Sequence, residues 1–313
     1  MKILITGAAG FIGSHLAEAL SSSGHEVLGL DAFTAYYDRA AKEQNAACVL
    51  RSGARLVEAD LAQDDLSPYL EGVQVVFHLA AQPGLSPTTS EADYHRNNVL
   101  ATERLLAASV GQPSLEMFFY ISTSSVYGAL ATNTEEAEPK PTSTYGRTKL
   151  EAEGLVLDAG QGGGLPVCSL RIFSVYGPRE RPEKLFPLLI RRIAAGRPVP
   201  LFDGSREHER SFTYVGDIVS GFLAALERRD ALAGEVINLG SEESFTTGEA
   251  IELVEEIMGC QARFETLPPR EGDQLKTAAR IDKAKRLLGY APSTPLRRGL
   301  EAEVAWFVDS GQP

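Results

Sequence analysis

Runs of consecutive apolar residues along this chain alternate with longer stretches whose apolar positions recur at helical spacing. Residues 2–6 (Lys-Ile-Leu-Ile-Thr), 26–30, 73–79 and 117–122 read as strands, and residues 12–22 as the first helix. Unbroken apolar runs, rather than alternation at every second residue, belong to strands covered on both faces. Strands and helices taking turns in this way predict an α/β fold, a doubly wound (Rossmann) parallel sheet with helices on both faces. Residues 91–108 and 145–159 read as long helices, and Gln161-Gly-Gly-Gly-Leu-Pro166 ends the second of them before a strand at 167–173. The alternation stops near Tyr176. Beyond it Pro178, Pro182, Pro187, Pro198 and Pro200 interrupt shorter elements, and Pro268-Pro269 precedes a charged loop. A helix at 212–226 and a strand at 235–239 are expected to return to the main sheet. The predicted division is therefore a first lobe of residues 1–175 with 212–240, and a smaller α/β lobe of residues 176–211 and 241–313.

Length and composition fit this picture. The 313 residues, 43% of them hydrophobic and 23% charged, suffice for one large unit or two lobes with an ordinary core. A net charge of −12 has the wrong sign for a nucleic-acid binder or a protein held on anionic lipid, so an anionic ligand must find local positive groups. Cys48, Cys168 and Cys260 are far apart and form no CxxC pair, which suggests neither a zinc site nor a disulfide framework. No apolar run approaches the length of a membrane span and no signal segment opens the chain. A cytoplasmic protein with no metal, nucleic-acid or membrane partner is expected.

Candidate chemistry begins directly after the first strand. In Thr6-Gly7-Ala8-Ala9-Gly10-Phe11-Ile12-Gly13 the glycines allow a tight turn and close backbone approach to a pyrophosphate, and the helix that follows offers unpaired N–H groups. Asp31 ends the next strand, close to the interval of ~20 residues at which an acid meets ribose hydroxyls. Gly7, Gly10, Phe11, Ile12, Gly13 and Asp31 thus point to a dinucleotide, and the acid favours NAD over NADP by repelling a 2′-phosphate. Glycines serving only helix packing, with Asp31 capping a loop, are the plainer alternative.

With these residues on the page the chain resembles the extended short-chain dehydrogenase/reductase family, the NAD-dependent sugar-nucleotide epimerases and dehydratases. The resemblance also rests on Asp60-Leu61, His78-Leu-Ala-Ala81, Asn98-Val99, Ser122-Thr-Ser-Ser-Val-Tyr-Gly128, Tyr145-Gly-Arg-Thr-Lys149 and the segment 171–178. It implies that Asp60 and Leu61 lie near adenine, that Ala80 lines the cofactor channel and that the second lobe holds a nucleotide sugar. Tyr145 and Lys149, four residues apart, share a helix face. A phenol with an ordinary pKa of about 10 needs a neighbouring cation to act as a base at neutral pH. Such pairs also occur on many solvated helices, so the dinucleotide motif and the resemblance are what make Tyr145 the general base and Lys149 its tuner and a holder of nicotinamide ribose. The same resemblance makes Thr123 the hydroxyl that bonds the reacting sugar oxygen.

Ser124 and Ser125 stand where 4,6-dehydratases of this family carry Asp-Glu, and a serine hydroxyl cannot replace a carboxylate in eliminating water. Epimerisation is therefore expected. Tyr36-Tyr37-Asp38 and Arg179-Glu180-Arg181-Pro182 are similar to segments of the family's uronate 4-epimerases. Arg181 is accordingly the candidate partner of a hexuronate carboxylate, against the plainer reading of a surface arginine paired with Glu180 or Glu183. Ser174, Arg210, Arg270 and Asp273 match positions that contact the nucleotide sugar, with the arginines facing the diphosphate. His78 and His95 read as structural. The resemblance implies 4-epimerisation of UDP-glucuronate to UDP-galacturonate by a homodimer. A neutral-sugar epimerase, a decarboxylase, a reductase and a non-catalytic NAD(H) sensor remain alternatives.

Overall fold

A computed structural model describes residues 1–84, 88–161, 164–270 and 272–310. Gly162 and Gly163 of the predicted helix breaker, Glu271 and the last three residues of the predicted second lobe lie outside them. The central sheet contains β1 (Lys2–Thr6), β2 (Glu26–Asp31), β3 (Arg55–Glu58), β4 (Val75–His78), β5 (Met117–Thr123) and the later strands Val167–Ile172 and Glu235–Leu239. Across the sheet the order is Glu235–Leu239, Val167–Ile172, β5, β4, β1, β2, β3, and every pair is parallel. β1 shows why its apolar run is unbroken. Ile3 and Ile5 pack into one hydrophobic cluster with Leu16 and Leu20 of α1 (Phe11–Ser22), while Leu4 packs into another with Leu105 and Val156 on the opposite face. All three β1 side chains are fully buried, each contributing roughly 1.5–3 kcal/mol.

The chain leaves β1 towards β2 on one side and returns to β4 on the other, so a crevice opens at the C-terminal ends of β1 and β4, where open α/β sheets bind ligands. A third hydrophobic cluster is made by later residues, including Tyr176, Phe186, Ile190, Val254, Leu300 and Phe307. It is built around the helices Leu185–Ala194, Thr247–Met258 and Leu296–Asp309. Pairs of very short strands join this region to the sheet: Val175–Tyr176 with Thr213–Tyr214, and Leu130–Ala131 with Lys276–Thr277.

Four elements depart most from their sequence expectation. The helix expected at 91–108 is interrupted by a π-helical turn, His95–Leu100, between Glu91–Tyr94 and Ala101–Ser109. Within it Asn98 Oδ1 accepts from the Gln82 backbone N–H at 2.6 Å, and Asn98 Nδ2 donates to Thr148 Oγ1 at 3.0 Å. This network fixes the turn at a width that apolar spacing cannot reveal. The helix expected at 212–226 spans Val215–Glu227, because Thr213–Tyr214 extends to pair with Val175–Tyr176. Helix α2 (Arg39–Arg51) and strand β3 escaped the pattern: the helix has only a faint apolar stripe, and the edge strand carries Arg55 and Glu58 at its ends. Among the described residues no helix is long and apolar enough to cross a membrane.

Candidate active site

All the candidate residues named above, from Gly7 to Asp273, line a single cavity of about 710 Å³. Its cofactor side is built mainly from backbone. Gly7 adopts φ +72°, and a Cβ there would lie 2.9 Å from the Ala80 nitrogen, so the turn after β1 can pass against the end of β4 only without a side chain. Among the described residues no side chain caps the start of α1, and Phe11 and Ile12 of its first turn line the cavity. Asp31, 9% exposed, closes β2 with Oδ2 accepting from the Ala9 N–H at 3.0 Å and Oδ1 from the Phe33 N–H at 2.8 Å. Asp31 also lines the cavity. Asp60 Oδ2 accepts from Arg96 Nη2 at 2.6 Å, which fixes that carboxylate beside Leu61. Glycine backbone, helix N-terminus and strand-end acid together fit a dinucleotide.

The chemical centre lies at the end of β5. Thr123 Oγ1 accepts from the Ser125 N–H at 3.1 Å and donates to Ser125 Oγ at 3.3 Å, folding residues Ser124–Tyr127 into a tight turn. Tyr145 begins the helix Thr144–Gln161 over this turn. Gly146 permits the approach, since a Cβ there would stand 2.7 Å from the Ser125 carbonyl oxygen. Burial pushes the Tyr145 phenol above its ordinary pKa, while a hydrogen bond with Thr123 and the positive charge of Arg181 pull it down. Lys149 is 2% exposed. Its ammonium donates to the Ile121 carbonyl at 2.8 Å and lies 4.1 Å above the Tyr120 ring. Burial lowers its pKa to about 7, with Glu153 opposing.

Sequence reading passed over the polar wall behind Lys149. Glu153 accepts from Arg171 through both carboxylate oxygens and from Ser169 Oγ at 2.7 Å, with the ion pair almost entirely buried. Arg171 Nη1 also donates to the Tyr127 hydroxyl at 2.8 Å, which donates in turn to Asn238 Oδ1. The i, i+4 spacing of Lys149 and Glu153 was the available signal. His78, read as structural, bridges Thr6 Oγ1 and Thr102 Oγ1 at 2.7 and 2.8 Å, and burial pushes its pKa down to about 3.

The substrate side is made of charged side chains from distant segments. Ser174 holds φ +26°, a left-handed conformation costly for a residue with a Cβ, and its carbonyl accepts from the Thr213 N–H at 3.1 Å. Arg181 Nη1 donates to Glu183 Oε1 at 2.6 Å. That pair is the one the plainer reading foresaw, yet the arginine side chain is largely buried, lines the cavity and acts electrostatically on Tyr145. Arg270 Nη2 donates to Asp273 Oδ1 at 2.7 Å, and Arg210 Nη2 lies 3.9 Å from the same oxygen. Gln274 escaped the sequence reading. Its amide donates to the Ser124 carbonyl at 3.2 Å and the Gly128 carbonyl at 2.9 Å, tying the substrate side to the turn after β5.

Residues 3–240 match the model of the NAD dependent epimerase/dehydratase family. The chain belongs to this family. Family members similar to it include a Bacillus subtilis protein named as an uncharacterized UDP-glucose epimerase, YtcB, 39% identical over 98% of both chains. The UDP-glucuronate 4-epimerase 2 of Arabidopsis thaliana is 33% identical over 98% of this chain and 76% of its own. Among solved structures, the UDP-glucuronic acid 4-epimerase of Bacillus cereus in complex with UDP-glucuronic acid and NAD superposes with a TM-score of 0.94 at 39% identity, covering 99% of this chain and 100% of that one. The NAD dependence of the epimerase/dehydratase family agrees with the cofactor side of the cavity.

Proposed function

We propose that the protein interconverts UDP-glucuronate and UDP-galacturonate by NAD-dependent 4-epimerisation. The observation that carries this reading is the meeting of Thr123, Tyr145 and Arg181 in one cavity with the dinucleotide side. The Arabidopsis and Bacillus cereus relatives support it by their names and bound ligands. Gly7, Gly10 and the start of α1 hold the pyrophosphate, Asp31 the adenosine ribose, Asp60, Leu61 and Ala80 the adenine and the channel, and Lys149 the nicotinamide ribose. NAD bound there would supply reversible hydride chemistry at C4 of the sugar.

Tyr145 takes the 4-hydroxyl proton and later gives it back, with Thr123 bonding the same oxygen. Ser124, Ser125 and Ser174 meet the sugar, while Arg210, Arg270 and Asp273 meet the nucleotide, the two arginines exchanging part of their pairing with Asp273 for the diphosphate. Arg181 holds the uronate carboxylate. That contact also protects the substrate, because a 4-keto uronate is a β-keto acid, and keeping its C5–carboxylate bond away from the perpendicular to the carbonyl plane slows loss of carbon dioxide. With no carboxylate at 124 or 125, elimination lacks its acid and base. Residues 176–211 and 241–313 form the nucleotide-sugar lobe, and the working form is a cytoplasmic homodimer joined through the helices near 91–109 and 144–161.

NMR of purified protein with UDP-glucuronate and no added dinucleotide tests the reading. UDP-galacturonate should accumulate to equilibrium. No conversion, or conversion of UDP-glucose alone, overturns the assignment.

A further inference from the structure

Arg181 reaches the cavity on a segment fastened to the cofactor side. Arg179, at φ +71°, donates to Glu18 Oε2 of α1 at 3.0 Å, and His15 of the same helix bonds the Pro178 carbonyl at 2.9 Å. These bonds fix the backbone, and the long side chain of Arg181 is held by contacts of its own. Among the described residues two groups restrain it. Glu183 engages Nη1, and the ring of Tyr36 lies with its centroid 5.5 Å from the guanidinium carbon. The remaining corner, Nη2, faces Gly84, close enough that a Cβ there would stand 3.1 Å away. A guanidinium stacked on a ring uses its face and keeps its in-plane N–H groups for a carboxylate.

Tyr36 in turn belongs to a tightly fastened loop between β2 and α2. Phe33 donates its N–H to Asp31, and the buried ammonium of Lys42 donates to the Thr34 carbonyl at 2.8 Å and the Thr34 hydroxyl at 3.1 Å. Lys42 also lies 4.9 Å above the ring of Tyr37, which meets Tyr36 edge to face. Asp38 closes the loop by capping α2.

We infer that Tyr36 is a positioning residue that holds the guanidinium of Arg181 ready for the substrate carboxylate, so that preference for a hexuronate is carried by a loop starting at the cofactor acid Asp31. The inference rests on the epimerase reading above, and concerns selectivity rather than the chemical step.

Tyr36→Leu removes the ring face and Tyr36→Phe keeps it. Steady-state kinetics with UDP-glucuronate, and calorimetric binding of UDP-glucose and NAD, read the effect. Tyr36→Leu should raise KM for UDP-glucuronate on the order of five- to tenfold, the size of one partly desolvated cation–π contact, and leave kcat, UDP-glucose binding and NAD binding unchanged. Tyr36→Phe should behave as the unaltered enzyme. In Arg181→Ala, adding Tyr36→Leu should cost nothing more, because the restrained group is gone. Equal weakening of UDP-glucose and UDP-glucuronate, failure of Phe to restore KM, or additive losses in the double variant overturn the inference. Unaltered enzyme that turns over UDP-glucuronate beside an equally effective Tyr36→Leu variant overturns it while sparing the epimerase reading. Unaltered enzyme inert towards UDP-glucuronate overturns both.

Discussion

The two walls of the cavity are made differently. On the cofactor wall the turn between β1 and α1 has its shape set by backbone that admits no side chain at Gly7, and Asp31 is held in place by two backbone N–H groups. On the opposite wall Ser174, Arg181, Arg210, Arg270 and Asp273 come from three separated stretches: Ser174 precedes one two-residue strand, Arg210 ends another, Arg181 pairs with Glu183, and Arg210 and Arg270 share Asp273. The first wall suits a ligand that stays, because nothing has to rearrange when it binds. The second suits a ligand that comes and goes, because each internal ion pair can be exchanged for a contact of similar energy.

Substitutions on the two walls should therefore fail in different ways. The largest effect is expected where the walls meet. Tyr145→Phe should retain NAD and lower kcat by ~10²–10⁴-fold, the usual loss for an acid–base group, and near-normal turnover would remove Tyr145 from the chemistry. Next comes the exchangeable wall. Arg181→Ala should weaken UDP-glucuronate by about 1.5–3 kcal/mol, the range for hydrogen bonds to charged groups, and spare UDP-glucose; equal losses would reassign the arginine to the diphosphate or the fold. It should also leak decarboxylated UDP-pentose or its 4-keto form. On the fixed wall, Asp31→Ala should weaken NAD by on the order of tenfold while favouring NADP in relative terms, since ribose bonds and repulsion of the 2′-phosphate are lost together. An enzyme that already prefers NADP contradicts that role.

The smallest effect is a displacement along the pH axis. Arg181 lowers the pKa of the Tyr145 phenol, so removing its charge raises that pKa. The rising limb of kcat for Arg181→Ala at saturating UDP-glucuronate should then move to higher pH, and an unmoved limb would show that the two groups do not interact during turnover.

The same contrast explains what could be read from the sequence. Gly7, Gly10, Gly13 and Asp31 were legible because backbone geometry demands particular residues at particular spacings, and β1 because burial on both faces demands an unbroken apolar run. Thr123, Tyr145 and Lys149 were nameable through family resemblance, but the direction of the Lys149 ammonium towards Ile121 was not, since a helical spacing specifies a face and no partner. Gln274 and Tyr36 were harder still. Each acts on a residue roughly 150 positions away, and nothing in local pattern joins them. The π turn at Asn98 belongs with these, as it depends on Gln82 and Thr148 together.

The bond from Gln274 to the turn after β5 also bears on how the protein is born. Its donor and acceptors lie up to 150 residues apart, with the acceptors first in the chain. At the ~5–20 residues per second of synthesis, the whole dinucleotide wall and Tyr145 leave the ribosome on the order of ten seconds before Gln274 exists to clasp the turn. In that interval the residues of the cofactor side are already made, while the substrate side still lacks Arg270, Asp273 and the clasp of Gln274 that ties it to the turn after β5.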